Sequence, residues 1–325
     1  MLLLPSSRCG PMVTELASAH KYLTQTVGLP SGADQLVPES VEAFWHRFGE
    51  DRVGSGLQKA MCAQAEEKVL SGIKIQEVTT VSDLQRLAST SGKGAGAWLT
   101  AYPSCFDLEL NDDHFQYACR HRLGLPPSDT LPPACCCGTN LTDPGHFHSC
   151  AQLKRGATLL RHDLILKLLA KFFRSIGAIV RIEPRVYIGE ERKIPDLDIL
   201  LPDRAFFVDV AITHPNSPSR ESATPLAAAK KMEAHKAWKY RRISEARGQP
   251  IFGFVLESYG AFGKNARRIL KILRHAASAA AYASMPTNTL GVFALQALSV
   301  ALQKGNALIA RTGSQRARAL VLAAG

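Results

Sequence analysis

Apolar residues set out the helices first. Leu159, Leu160, Leu164, Leu168, Leu169 and Phe172 recur at helical intervals and predict a core helix over 156–176. Earlier in the chain, Val41, Phe44, Trp45 and Phe48 form one stripe after a Pro38-Glu39-Ser40 cap, and further helical patterns run over 56–70 and 81–88. Another helix is predicted over 108–123, capped by Asn111-Asp112-Asp113 and stopped at Gly124-Leu125-Pro126-Pro127. Residues 178–188 are strand-like, and two short apolar runs, 197–201 and 205–212, flank a Pro202-Asp203-Arg204 turn. A polar helix over 224–248, a buried strand over 250–256 and two Ala-rich helices over 263–284 and 288–311 complete the pattern. The end, from Thr312, reads as basic and frayed.

Alternation along the hairpin sorts its side chains. Phe206, Val208, Val210 and Ile212 share one face of the second strand, and Asp209 points the other way beside Phe207 and Ala211. In the first strand Leu197, Ile199 and Leu201 oppose Asp196 and Asp198. Carboxylates from neighbouring strands therefore meet on one face. Burying a lone carboxylate among β-branched neighbours costs roughly several kcal/mol unless a cation or donor compensates it. A shared divalent metal is the compensation this pattern suggests.

Composition narrows the class. The chain has 325 residues, 46% of them apolar, enough for one large or two modest globular domains. The opening Met1 to Pro5 is too short for a signal segment, and no run reaches the roughly 18 apolar residues of a membrane helix. An intracellular protein without a membrane partner is expected. Net charge is +11 and unevenly placed: residues 1–150 carry 11 basic and 16 acidic side chains, whereas 151–275 carry 24 and 12. A basic block that contains an acidic hairpin suits a protein that attracts a phosphate backbone and holds metal at the bond to be cut. The Ser91 to Gly96 segment lacks the GxxxxGK[ST] spacing of a phosphate loop and reads as a linker.

Four of the eight cysteines, Cys135, Cys136, Cys137 and Cys150, fall within sixteen residues, which is metal spacing rather than a disulfide framework. Cys135, Cys137, His146 and Cys150 suit tetrahedral zinc, with Cys136 and His148 as possible substitutes. Four protein ligands leave no open position, so a structural role is expected. Arg161-His162-Asp163 bring polar chemistry to the first half of the core helix.

Together these residues resemble the restriction-like endonuclease region at the C-terminal end of certain non-LTR retrotransposon polyproteins. The resemblance covers roughly residues 94–275. It rests on the GAWLTAYP run from Gly96, the Arg120 to Pro126 helix end, the Cys-x-Cys-Gly…His-x-x-x-Cys knuckle, Arg161-His162-Asp163, Glu183-Pro184, Pro195-Asp196, Asp209 and Lys236-x-x-Lys239-Tyr240. It implies an α/β (α+β) fold with a PD-(D/E)XK restriction-endonuclease-like core, a small zinc knuckle and flanking helical regions. The expected division is a helical accessory region over 1–93, a helical linker over 94–133, the knuckle over 134–150, the endonuclease domain over 151–275 and a helical tail over 276–325.

The resemblance implies a Mg²⁺-dependent endonuclease that nicks target DNA. Asp196 and Asp209 would hold the metal, with Lys236, Lys239 and Tyr240 completing the catalytic set, and Arg161 and His162 would face DNA. Many PD-(D/E)XK enzymes carry the lysine two residues after the second acid; here that position is Ala211, so the lysine must come from the following helix. Lys230 and Lys231 compete for that role. Expected partners are double-stranded DNA and, from the family, element RNA or a separate reverse-transcriptase polypeptide, in the nucleus. No reverse-transcriptase signature is present, so the chain reads as a fragment, a degenerate copy or a captured stand-alone nuclease. The competing reading is a zinc-containing DNA-binding module that has lost cleavage.

Overall fold

A computed structural model describes residues 80–141, 145–153, 156–188, 191–216, 224–279 and 287–324. The helices expected over 41–48 and 56–70 lie outside these residues. Among the described residues there are seven α-helices and six strands: α1 Val81–Thr90, α2 Asp112–Leu123, α3 Ala157–Ser175, β1 Ile179–Ile182, β2 Val186–Ile188, β3 Glu191–Lys193, β4 Leu197–Leu201, β5 Arg204–Thr213, α4 Ala227–Lys239, α5 Arg241–Arg247, β6 Ile251–Glu257, α6 Lys264–Ala279 and α7 Thr287–Ala324. The fold is mixed α/β.

The central sheet has the order β1-β4-β5-β6. Its first three strands are antiparallel, and β6 joins β5 in parallel after the α4–α5 crossover. A parallel strand covered on both faces must be apolar throughout, which explains the near-continuous Ile251 to Leu256 run. On one face Phe206, Val208 and Val210 pack with α3, α6 and α7 in the main core. On the other, Ala211 and Val255 meet Ala229 of α4, and Phe207 meets Tyr240 and Ile243. Asp209, between Phe207 and Ala211, therefore opens toward α4.

Several boundaries differ from expectation for local reasons. The strand expected over 178–188 breaks at Glu183, whose φ of 49° precedes Pro184, and its second half pairs with β3 as a separate ribbon. The polar helix over 224–248 is two helices meeting at Tyr240. The expected frayed end is helical: α7 continues to Ala324.

Helix α7 is also long and apolar enough to cross a bilayer, which corrects the expectation that no such stretch exists. Its most apolar stretch is 67% buried within the protein, as in the core helix of a globular fold. Gly305 explains how it packs. A Cβ there would lie 3.0 Å from the Cα of Arg161, so α7 crosses α3 at backbone contact. Residues Thr80–Gly325 form one compact unit.

Candidate functional site

Register places the two acids. Leu197 pairs with Val208 in the antiparallel β4–β5 ladder, so the next position brings Asp196 opposite Asp209. Asp196 sits at the bend entering β4, where its Oδ2 accepts the Val210 N–H at 2.6 Å. Asp209 is 2% exposed. Lys236 lies directly against its carboxylate, and the Lys239 Nζ is 4.0 Å from Oδ1. Both lysines project from one face of α4, being three residues apart. Lys230 and Lys231 lie on the exposed part of α4.

Tyr240 closes the site. Its hydroxyl donates to the Ile194 carbonyl at 3.0 Å and accepts from Lys239 Nζ at 2.7 Å. Burial, and then the Asp209 carboxylate, push its pKa above the usual 10, so it is a neutral hydrogen-bonding group. His162 enters from α3, with Nε2 3.1 Å from Asp196 Oδ2 and Nδ1 3.2 Å from Asp163 Oδ1. Burial draws its pKa down, but the bonds to Asp196 and Asp163 outweigh it and hold the imidazole above 6.5. Thus His162, expected at DNA, touches the carboxylate pair itself. Asp198 is diverted: Gln249 donates to it at 2.7 Å and Arg181 lies 3.6 Å away.

Arg161, expected at DNA, turns into the protein instead. It is 4% exposed, and its Nη1 lies 2.8 Å from Asn306 Oδ1 and 3.1 Å from His148 Nδ1. Burial lowers its pKa to about 10, which leaves it charged at neutral pH. One residue along the helix separates this inward direction from that of His162, a turn of about 100°.

The knuckle assembles as a second, separate cluster. One ligand atom from each of Cys135, Cys137, His146 and Cys150 lies within 4.8 Å of all the others, so the group could hold zinc. Gly138, at φ 83°, makes the turn that returns the chain after Cys137. Burial pushes the Cys135 and Cys150 thiols up to about 11, while the Thr139 hydroxyl at Cys137 draws that thiol down to about 6. A bound dication would draw the two buried thiols toward thiolate. His148 stands apart from these four, its Nε2 2.8 Å from the Tyr117 hydroxyl and its Nδ1 on Arg161.

Sequence reasoning missed the buried stack around His148. His121 lies between Tyr117 and Tyr259, with ring centroids at 5.6 and 4.5 Å, and 4.5 Å from His148. Burial lowers the His121 pKa to about 3. The Tyr117–His121 spacing on α2 was the available signal, but the aromatic partner arrives from Tyr259, far along the chain.

No family model matches this chain. It is 27% identical over 232 residues to the Retrotransposable element SLACS 132 kDa protein of Trypanosoma brucei gambiense. The match takes in 67% of this chain and 19% of that protein, so the chain spans less than a fifth of that relative's length. The similarity associates the chain with retrotransposon proteins.

Proposed function

We propose that this chain is a metal-dependent DNA endonuclease with a restriction-like core, which nicks duplex DNA in retrotransposon integration. The observation that carries the reading is the meeting of Asp196 and Asp209 across β4–β5 beneath Lys236. Two carboxylates offer oxygen donors only, which fits a hard cation such as Mg²⁺. Asp209 is nearly inaccessible and must have a cation nearby in any case. When bound by Asp196 and Asp209, the ion would supply acidification of a water and neutralisation of phosphate charge.

The protein groups do the positioning. The Val210 N–H and His162 fix the Asp196 carboxylate from two directions. Lys236 and Lys239 bring positive charge to the place where charge develops on the phosphate oxygens. Tyr240, anchored on Ile194, fixes the hydrogen-bonded end of Lys239. The Cys135, Cys137, His146 and Cys150 cluster fixes the knuckle beside α7 rather than taking part in cleavage. Nuclear residence, and element RNA or a separate reverse-transcriptase polypeptide as partners, accompany this proposal.

The reading is tested with supercoiled plasmid and Mg²⁺. The parent chain should yield nicked circles, and Asp209→Asn should leave the plasmid supercoiled. A parent that shifts DNA in a gel but never nicks it would instead be a zinc-containing binding module.

A further inference from the structure

Helix α6 lies on the other side of the sheet from Asp209. Its Ala266, Ile269, Leu273 and Ala277 pack into the core formed with Phe206, Val208 and Val210. Between Lys264 and Ala277, every exposed position is basic: Lys264, Arg267, Arg268, Lys271, Arg274 and His275. The helix contains no acidic residue. Solvated helices usually mix signs, because alternating charges at i and i+4 stabilise them and like charges oppose them. Here five like-charged Lys and Arg residues stand at i+3, i+4, i+7 and i+10 spacing on one face, a placement that local helix stability disfavours.

Two grooves run beside this ridge. One, of about 610 Å³, is lined by Ile176, Leu201, Arg204, Arg268, Lys271 and His275. Asp203 also lines it and is paired with Arg204 at 2.5 Å. The other, of about 580 Å³, is lined by Lys93, Arg267, Leu270, Lys271, Arg274 and Leu295. Lys271 borders both. Lys93, from the segment after α1, extends the positive charge of the helix into the second groove, whereas Arg204 in the first is balanced by Asp203.

We infer that α6 and its two grooves form a second nucleic-acid interface, which grips the paired phosphate backbones of duplex DNA. Charge complementarity identifies the phosphates. Paired strands fit because there are two basic grooves side by side, and because among the described residues neither is lined by Phe, Tyr or Trp, the platforms on which unpaired bases stack. Few side-chain acceptors that could read a ribose hydroxyl line the ridge, so contact is to phosphate and independent of sequence. The interface is distinct from the Asp196–Asp209 site and holds whether or not that site cleaves. A DNA segment on α6 and another at Asp209 would lie on opposite faces of one sheet.

The test is a salt titration of binding to a blunt duplex of about 30 base pairs, without added Mg²⁺ so that cleavage does not intervene. The parent is compared with a variant carrying Lys264→Gln, Arg267→Gln, Lys271→Gln and Arg274→Gln; Arg268 is kept because it stacks over Phe252 at 4.8 Å. Each phosphate contact contributes about 0.9 to the slope of log K against log salt, so the slope should fall by about 3 to 4. Binding at about 0.1 M salt should weaken at least about tenfold. A slope changed by less than about 1, with circular dichroism intact, overturns the proposal. If the fourfold variant does not fold, Lys271→Gln with Arg274→Gln should lower the slope by about 2, and no change there is equally contrary. Competition by single-stranded DNA or duplex RNA that exceeds duplex DNA on the parent would assign the ridge to another occupant and overturn it.

Discussion

Gly253 is the β6 partner of Asp209 in the parallel β5–β6 ladder, and α4 occupies the space where its side chain would stand. A Cβ at Gly253 would lie 3.3 Å from Lys236 Cβ and 3.4 Å from Glu233 Cα. The missing side chain lets α4 approach the sheet closely enough for Lys236 to reach Asp209. Gly253→Val should therefore push α4 outward and separate lysine from carboxylate. Overpacking of this kind costs about 1 to 3 kcal/mol, and nicking should fall at least about tenfold while zinc content is unchanged. Urea denaturation beside a nicking time course reads both effects. A variant with parental nicking would show that close approach of α4 is dispensable.

Arg161 should behave as a buried structural cation. Arg161→Ala strips His148 Nδ1 and Asn306 Oδ1 of a partner at the α3–α7 crossing. Removing one member of such a buried charged network costs about 2 to 5 kcal/mol. Chemical denaturation should show that loss. The salt slope of DNA binding should stay within about 1 of the parent, since no phosphate contact is removed.

The Cys135, Cys137, His146 and Cys150 cluster, which could hold zinc, makes a stoichiometric prediction. Purified protein should hold one zinc per chain by elemental analysis, and Cys150→Ser should lower that content severalfold. Phe147, between the ligands His146 and Cys150, packs against Gly313, where a Cβ would come 2.5 Å from its ring. Losing the metal should thus loosen the contact with α7 and lower stability by more than about 2 kcal/mol. Unchanged zinc content in Cys150→Ser would reassign the ligands.

The buried His121 predicts an acid limb of stability. Burial holds its folded pKa at about 3, against 6.5 for the ordinary side chain. A depressed folded pKa means that the unfolded chain binds the proton first. The contribution is complete above pH 6.5 and is lost as pH falls toward about 3, at up to about 1.4 kcal/mol per pH unit for one proton. His121→Phe keeps a ring between Tyr117 and Tyr259 and removes the titration. The parent should lose stability more steeply than this variant between pH 6 and 4. Parallel curves would contradict the assignment.

The carboxylate pair was legible because period-two alternation and a Pro-Asp-Arg turn fix both face and register over a few residues. Alternation alone put Asp196, Asp198 and Asp209 on one face, whereas the roles of Lys236, Lys239 and Tyr240 rested on the family resemblance. The knuckle was legible for the same reason, its ligands being close in sequence. What escaped depended on distant partners. The inward turn of Arg161 requires Asn306, 145 residues away, and the His121 stack requires Tyr259. The approach of α4 depends on Gly253, which in sequence is only one small residue within an apolar run. Past Thr312, Gly313 of α7 packs against Phe147 of the knuckle, a contact that composition alone does not express.

The most direct measurement is the single-turnover rate of plasmid nicking with Mg²⁺ for the parent, Asp196→Asn and Asp209→Asn, with zinc content and circular dichroism recorded for each. We expect the parent to nick and both variants to be slowed at least about 10²-fold with fold and zinc retained, the scale of losing a principal electrostatic contributor. A parent that does not nick, or variants that nick at the parental rate, would contradict a nuclease site at Asp196 and Asp209.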